Sequence, residues 1–197
     1  MTRCKFVSKY SMIQKTVPFY TAFYFRDLKL DTEKLYQAVI NIKENTNSVK
    51  FSNQNGWQSP EFHYNDNLVF LPLLDQIKDT VEEIYKDLGI KKSAKLGDYW
   101  FNVNSKFSYN ISHNHPGSLI SAVYYIKAPV NSGRIVFERP DPFNDWILNT
   151  DPNENNVGKI FQEPRENLLI LFPSYVKHYV EMNQSEFERV SMAFNFA

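Results

Sequence analysis

Residues 99–127, which read YWFNVNSKFSYNISHNHPGSLISAVYYIK, decide the fold class. Aromatic and β-branched residues are concentrated there in short runs separated by turn-forming residues, a pattern typical of β-strands. Similar runs recur to the end of the chain. The predicted strands are 99–104, 106–111, 119–127, 134–138, 168–172, 176–181 and 188–196. Many short strands after a helical lead-in predict a mainly β fold, an antiparallel jelly roll.

The chain before this region is helical wherever it is periodic. Asp31 fits an N-cap, and an apolar i, i+4, i+7 pattern predicts a helix over about 32–45. A second apolar stripe predicts a helix that begins near Leu68 and stops at Gly89. We expect these two or more helices to buttress the β core from one side, and the polar segment 53–64 to form a loop over a pocket.

The length of 197 residues suits one domain. We assign 1–98 to the helical lead-in with its pocket-covering loop, and 99–197 to the β core. A further surface loop is predicted over 140–164, which is dense in Asp, Asn and Pro. The 16 Phe and 12 Tyr leave a homodimer possible.

Charge and cysteine content restrict the class of partner and the compartment. Lys plus Arg and Asp plus Glu both number 22, so the formal net charge is zero, which argues against nucleic acid or an anionic membrane as a partner. Residues 6–22 are interrupted by polar residues and Pro18, so neither a signal-peptide core nor a membrane span is predicted there. The single cysteine, Cys4, cannot form an internal disulfide. We expect a cytoplasmic protein.

Three of the four histidines are spaced as metal ligands would be. His113 and His115 are two residues apart, so a strand would project both from one face. His178 precedes a late strand and could complete a facial trio for a divalent transition metal. A His-x-His pair alone is also typical of a polar stripe facing solvent; the third histidine favours the metal.

Arg189 follows this trio on the terminal strand and shares one face with Ser191. An arginine can hold a carboxylate through two parallel charge-assisted hydrogen bonds, and a serine hydroxyl can add a third. The alternative interpretation is a surface arginine paired with Glu186 or Glu188.

Four segments resemble the 2-oxoglutarate/Fe(II)-dependent oxygenase family of bacteria and phages. They are His113-Asn-His115-Pro-Gly-Ser, Ser121-Ala-Val-Tyr-Tyr125, Leu171-Phe-Pro-Ser-Tyr-Val-Lys-His178 and Arg189-Val-Ser191-Met-Ala-Phe-Asn195. The resemblance is specific over 99–197 and weaker at 52–59. It implies a cupin-like double-stranded β-helix and Fe(II) on the three histidines. It further implies 2-oxoglutarate whose distal carboxylate meets Arg189 and Ser191, and ascorbate as a reductant in vitro.

The resemblance extends to two weaker candidates for cosubstrate contacts, Asn102 and Ser121. Alternation along the strand turns Tyr125 to the same side as Ser121, where it could donate a hydrogen bond to 2-oxoglutarate. A tyrosine in a barrel strand is more often a core residue. We expect His63 to be a surface residue rather than a substrate contact, and Asn195 to bond locally near the chain end.

The motif departs from that of the better-known relatives, which carry Asp or Glu where this chain has His115. A neutral ligand leaves the bound metal one unit more positive. Glu138 or Asp141 could serve as a substitute carboxylate, but neither has the i+2 relation to His113.

The resemblance implies that the protein is a dioxygenase. Such an enzyme would hydroxylate a small molecule or an amino-acid or peptide side chain, with release of succinate and CO2. One alternative is a cupin-type metal protein that does not use 2-oxoglutarate, since Pro173-Ser-Tyr-Val-Lys-His178 also resembles the second cupin motif. Another is a non-catalytic jelly roll that binds a ligand. Arg189, and the lack of the glutamate that cupins carry after His-x-His, favour the oxygenase.

Overall fold

The structure is a computed structural model that describes residues 20–141, 151, 153 and 156–197. Cys4 and the centre of the loop predicted over 140–164 lie outside the described residues. The elements are β1 (Tyr24–Asp27), α1 (Thr32–Asn45), β2 (Asn53–Gln54), β3 (Trp57–Gln58), a 3₁₀ turn (Leu68–Phe70), α2 (Leu71–Asp87), β4 (Leu96–Asn104), β5 (Tyr109–His113), β6 (Ile120–Lys127), β7 (Ile135–Glu138), β8 (Lys159–Gln162), β9 (Leu168–Pro173), β10 (His178–Val180) and β11 (Arg189–Phe196).

The strands form two antiparallel sheets, as the jelly-roll prediction requires. The larger sheet has the order β1-β9-β6-β11-β4-β3, and the smaller has the order β2-β5-β10-β7-β8. Apart from β3 and β4, the neighbours in the larger sheet are strands that are not consecutive in the chain. The mainly β fold with two helices is confirmed.

Alternate residues of β9 pack into two different hydrophobic cores, one on each face of the larger sheet. Leu169 and Leu171 belong to a core shared with α1 and α2, whereas Leu168, Ile170 and Phe172 belong to a second core with residues of the smaller sheet. Because successive strand residues point to opposite faces, a strand covered on both faces must be apolar at consecutive positions. The helices therefore cover one face of the larger sheet, and the smaller sheet covers the other.

Both predicted helices are present. Asp31 caps α1, with its carboxylate accepting a hydrogen bond from the Lys34 backbone N–H at 3.1 Å. The second helix begins as the 3₁₀ turn, and its end is followed by Gly89 at a φ of 70°. Glycine adopts this left-handed conformation without steric cost, so the stop signal acts as predicted.

Two of the predicted strands begin later in the chain than the sequence indicated. The run at 106–111 begins as a strand only at Tyr109, since Phe107 has a φ of 68° and the Ser108 N–H bonds to the Ser105 carbonyl. The run at 176–181 begins at His178, because Val176 bonds back to Pro173 in a turn. Apolar turn residues carry the same sequence signal as strand residues.

The lead-in contributes three strands that the sequence did not predict: β1 and β3 extend the larger sheet, and β2 extends the smaller. The segment predicted as a loop over 53–64 therefore holds two short strands that pair with different sheets, and β8 lies within the predicted 140–164 loop. None of the helices in the described part of the chain is long and apolar enough to cross a membrane.

Candidate metal and cosubstrate site

Strand pairing brings the three histidines together. His113 at the end of β5 is the direct register partner of His178 at the start of β10. His115 follows β5, where its backbone N–H bonds to the Ser174 carbonyl at 3.0 Å. One ligand atom from each of the three rings lies within 4.8 Å of the others. The two segments that are far apart in sequence thus form one cluster.

Backbone carbonyls orient two of the rings. The Nδ1 of His113 lies 2.7 Å from the Ile111 carbonyl, and the Nδ1 of His178 lies 3.1 Å from the Val176 carbonyl. A carbonyl can only accept, so each Nδ1 carries the proton and each Nε2 keeps its lone pair for a metal.

Burial keeps the rings neutral. It lowers the pKa of His115 to about 4 and that of His178 to about 3, and it also lowers the pKa of His113. At neutral pH all three rings are therefore free to bind a cation without losing a proton.

The trio fits a divalent transition metal. Nitrogens that share one face of an ion at about 2.1 Å each lie about 3.0–3.4 Å apart, so we expect rings with ligand atoms within 4.8 Å of one another to move closer when an ion binds. Neither candidate carboxylate joins the cluster. Glu138 accepts from the Ser112 hydroxyl at 2.8 Å and pairs with Lys159, while Asp141 pairs with Arg139. Among the described residues the metal-competent group contains three histidines and no acid.

Arg189 is buried, with 2% of its surface exposed. Its Nη1 donates to the carbonyls of Ser132 and Gly133. The surface ion-pair interpretation is wrong, because Glu186 pairs with Lys106 and Glu188 pairs with Lys43. No carboxylate of the described residues lies within ion-pair distance of the guanidinium.

The guanidinium and the histidines line one cavity between the sheets. Trp100, Asn102, Tyr125 and Ser191 line it as well. Burial lowers the pKa of Arg189 to about 10 and raises that of Tyr125 to about 12, so at neutral pH the arginine is charged and the phenol is a neutral donor. The cavity holds about 50 Å³, so we expect its side chains to move apart when a ligand of several carbons enters.

The weaker candidates occupy different surroundings. Asn102 is the register partner of Ser191, and both line the cavity. The Ser121 hydroxyl lies 2.8 Å from that of Ser174 and donates to Asn195, so Asn195 bonds across the sheet rather than locally as predicted. His63 is exposed and lies 3.1 Å from Asp98, as expected for a surface residue.

Several residues that support the site were not predicted from the sequence. Trp100 packs against His115 with ring centroids 5.6 Å apart, and it shares the inward face of β4 with Asn102. The i, i+2 spacing of these two residues was a signal that could have been used. The Ser132 and Gly133 carbonyls that hold Arg189 have no side-chain signature, so no sequence pattern would have found them.

The fold is that of known 2-oxoglutarate oxygenases. A prolyl-4-hydroxylase from Pseudomonas putida superposes with a TM-score of 0.63 at 14% identity over 89% of this chain and 92% of that chain. HygX from Streptomyces hygroscopicus, solved with nickel and 2-oxoglutarate, gives 0.62 at 13% identity over 90% and 83%. A prolyl hydroxylase from Trichoplax adhaerens, in complex with a hypoxia inducible factor peptide fragment, gives 0.59 at 15% identity over 88% and 82%.

Sequence comparison gives the family. No curated protein sequence matches the chain. Residues 98–195, which include the three histidines, Arg189 and Ser191, match the model of the family described as "Putative 2OG-Fe(II) oxygenase". Residues 98–195, and with them the candidate site, therefore belong to the 2OG-Fe(II) oxygenase family.

Proposed function

We propose that the protein is a non-haem Fe(II)- and 2-oxoglutarate-dependent dioxygenase that hydroxylates a small molecule or an amino-acid side chain. The observation that carries this proposal is the buried Arg189, which faces the same cavity as the three histidines and lacks a carboxylate partner among the described residues. A buried, unpaired charge is costly, so the cavity favours an anionic ligand. A dicarboxylate can chelate the metal held by the histidines with one end and pair with the Arg189 guanidinium at the other.

Each side chain has a proposed role. His113, His115 and His178 hold the Fe(II), while Arg189 and Ser191 bind the distal carboxylate of 2-oxoglutarate. Asn102 and Tyr125 are further donors to the cosubstrate, since both line the cavity. Ser121 has an indirect role, because its hydroxyl is hydrogen-bonded to Ser174 and Asn195. When bound, iron and 2-oxoglutarate supply the oxidation of a substrate C–H bond by O2, with release of succinate and CO2.

The neutral ligand set has an electrostatic consequence. Three imidazoles leave the metal with its full double positive charge, which the 2-oxoglutarate dianion then balances. An Asp or Glu ligand would leave the same complex with a net negative charge. We therefore expect this site to depend more strongly on the cosubstrate's charge than a site with a carboxylate ligand would.

We propose that the prime substrate occupies a groove beside the trio. The groove has a volume of about 480 Å³ and is lined by Tyr20, Phe23, Phe137 and Tyr175, among others. The Phe137 ring lies 6.0 Å from that of His178, so the groove borders the proposed metal site. Its charged rim is internally paired through Glu138–Lys159 and Arg139–Asp141. Aromatic walls with a balanced rim favour an apolar, uncharged substrate group.

The peptide in the Trichoplax adhaerens complex supports a peptide as one possible substrate, and a free small molecule is the other. A cytoplasmic location stays part of the proposal, on the grounds of the single cysteine. The cupin-type protein and the non-catalytic binding module are the competing functions. Neither of them gives the buried arginine a cosubstrate to bind.

Succinate formation tests the proposal. Purified protein is supplied with Fe(II), ascorbate, 2-oxoglutarate and O2, and succinate is quantified alongside the bound metal. We expect wild type to form succinate slowly even without its prime substrate, and His178→Ala to lose both bound metal and succinate formation. The matched control is His63→Ala, which removes an exposed histidine outside the trio and should behave as wild type. Equal metal content in wild type and His178→Ala would remove His178 from the site, and a lack of succinate across a broad substrate panel would favour the binding module.

A further inference from the structure

The segment from β2 to β3, two short strands joined by Asn55 and Gly56, connects the two sheets beside the cavity. Asn53 and Gln54 pair with β5 of the smaller sheet, whereas Trp57 and Gln58 pair with β4 of the larger. Asn53 is therefore held in one sheet by its backbone while its side chain reaches residues of the other. Only 6% of its surface is exposed, so its amide must be satisfied by protein groups.

One backbone carbonyl fixes the orientation of the Asn53 amide. Its Nδ2 lies 3.3 Å from the Trp57 carbonyl oxygen, which can only accept a hydrogen bond. The opposite orientation would place two oxygens against each other there. The Asn53 Oδ1 in turn accepts from the Asn104 Nδ2 at 3.2 Å, which agrees with the same orientation.

The Asn53 orientation determines that of Asn102. The Asn53 Nδ2 donates to the Asn102 Oδ1 at 3.0 Å, in a buried contact. The Asn102 oxygen is therefore engaged on the side of the β2–β3 segment, which leaves the Asn102 NH2 as the group available to the cavity. Asn102 lines that cavity directly opposite Ser191 in the strand register, next to Arg189. A carboxylate can only accept hydrogen bonds, so an NH2 group is the end of the amide that suits it.

Gly56 makes this arrangement sterically possible. A Cβ at this position would overlap the Asn53 Oδ1 and lie 3.0 Å from the Val103 carbonyl and 3.1 Å from the Asn104 Nδ2. A glycine in the connection between β2 and β3 thus allows the Asn53 amide to pack between the two sheets.

We propose that Asn53 is a positioning residue for 2-oxoglutarate. It holds the Asn102 side chain so that its NH2, rather than its oxygen, faces the carboxylate beside Arg189 and Ser191. The role rests on the proposed function, because it requires 2-oxoglutarate in the cavity. It adds to that function a residue that does not touch the cosubstrate and acts only through Asn102.

A double-mutant cycle on 2-oxoglutarate affinity tests this role. Calorimetric titrations use Mn(II)-loaded wild type, Asn53→Asp, Asn102→Ala and the double variant, so no turnover is needed. An aspartate at 53 can only accept, so it should reverse the Asn102 amide and turn its oxygen toward the carboxylate. We expect Asn53→Asp to weaken 2-oxoglutarate binding by about tenfold or more, with Mn(II) affinity unchanged. In the Asn102→Ala background the same substitution should have no further effect.

Asn183→Asp is the matched control, because Asn183 is also a buried amide donor, to the carbonyls of Asn104 and Phe187. It should lower the melting temperature without changing 2-oxoglutarate affinity. If Asn53→Asp fails to fold, Asn53→Ala replaces it without a buried charge. It should give a smaller loss of affinity that again disappears in the Asn102→Ala background.

The outcomes separate this role from the function on which it rests. If wild type fails to bind 2-oxoglutarate, the proposed function itself is contradicted. Wild-type binding together with unchanged affinity in both Asn53 variants overturns the positioning role alone. The positioning role is also overturned if the Asn53 substitution weakens 2-oxoglutarate binding by the same factor in the Asn102→Ala background as in wild type. Asn53 would then act by a route that does not involve Asn102.

Discussion

At the residue scale, the histidine trio combines three features that favour a metal. The rings are held close together by β5 and β10, two of them are oriented by carbonyls, and all three are kept neutral by burial. Neutral rings alone could be a simple consequence of packing. A purely structural cluster would not require their combination with ligand nitrogens that lie within 4.8 Å of one another.

The same burial predicts how the stability of the metal-free protein depends on pH. The pKa is about 3 for His178 and about 4 for His115 in the folded chain, whereas unfolded histidine titrates near 6.5. Below about pH 6.5 the unfolded chain therefore binds protons that the folded chain does not. The free energy of unfolding should fall as pH is lowered from about 6.5 to about 5, by up to about 1.4 kcal/mol per pH unit for each histidine.

Urea unfolding at several pH values within this window measures the slope, since most carboxylates stay ionised there. His178→Gln should give a shallower slope than wild type, because it removes a buried ring whose pKa is lowered. Identical slopes in wild type and His178→Gln would contradict the burial argument.

The metal ligands and Arg189 were recognisable from the sequence because their spacing reflects alternation along strands. The role we assign to Asn53 was not recognisable. It depends on one carbonyl and two amides from segments about 50 residues apart. The buried state of Arg189 was equally hidden, because two acidic residues near it in sequence offered an alternative partner.

At the element scale, the turn between β6 and β7 supports the arginine. Gly133 in this turn has a φ of 90°, and its carbonyl and that of Ser132 accept from Arg189. A Cβ at Gly133 would overlap the Glu181 carbonyl and lie 3.0 Å from the Arg189 Nη1. The turn is therefore built closely around the guanidinium.

Gly133→Ala should destabilise the protein by about 2–4 kcal/mol, because it adds an overlap to an unfavourable backbone conformation. It should also weaken 2-oxoglutarate binding by displacing Arg189. The matched control is Gly89→Ala, at a φ of 70° with nothing within 4 Å of the added Cβ. That variant should cost only the backbone strain, about 1 kcal/mol. Urea unfolding measures both variants, and an equal loss in the two would contradict the close fit around Arg189.

Which elements could be predicted follows from their length and periodicity. The helix from Thr32 to Asn45 was predicted because its 14 residues carry apolar side chains at helical spacing and follow a capping aspartate. Two-residue strands such as β2 and β3 carry no periodicity, and only their partners in other segments define them. The four-residue β1 and β8 lie at sheet edges, where partial exposure weakens the apolar pattern.

At the scale of the whole molecule, the fold gives the site its chemistry by placing it between two sheets. The smaller sheet supplies His113 and His178 from β5 and β10, and the larger supplies Arg189 and Ser191 from β11. The fold class followed from the strand pattern and the resemblance. The strand order did not, because it depends on long-range pairings that one sequence does not display.

The central claim is that one cavity binds a metal through the histidines and 2-oxoglutarate through Arg189. Calorimetric titration of 2-oxoglutarate into Mn(II)-loaded wild type and Arg189→Ala tests it most directly. We predict that Arg189→Ala retains its metal but binds 2-oxoglutarate more weakly by about 2–4 kcal/mol, in the range for removing one partner of a desolvated charge pair. Arg189→Lys should recover only part of the affinity, because an ammonium lacks the planar pair of donors. Unchanged 2-oxoglutarate affinity in Arg189→Ala would contradict the account.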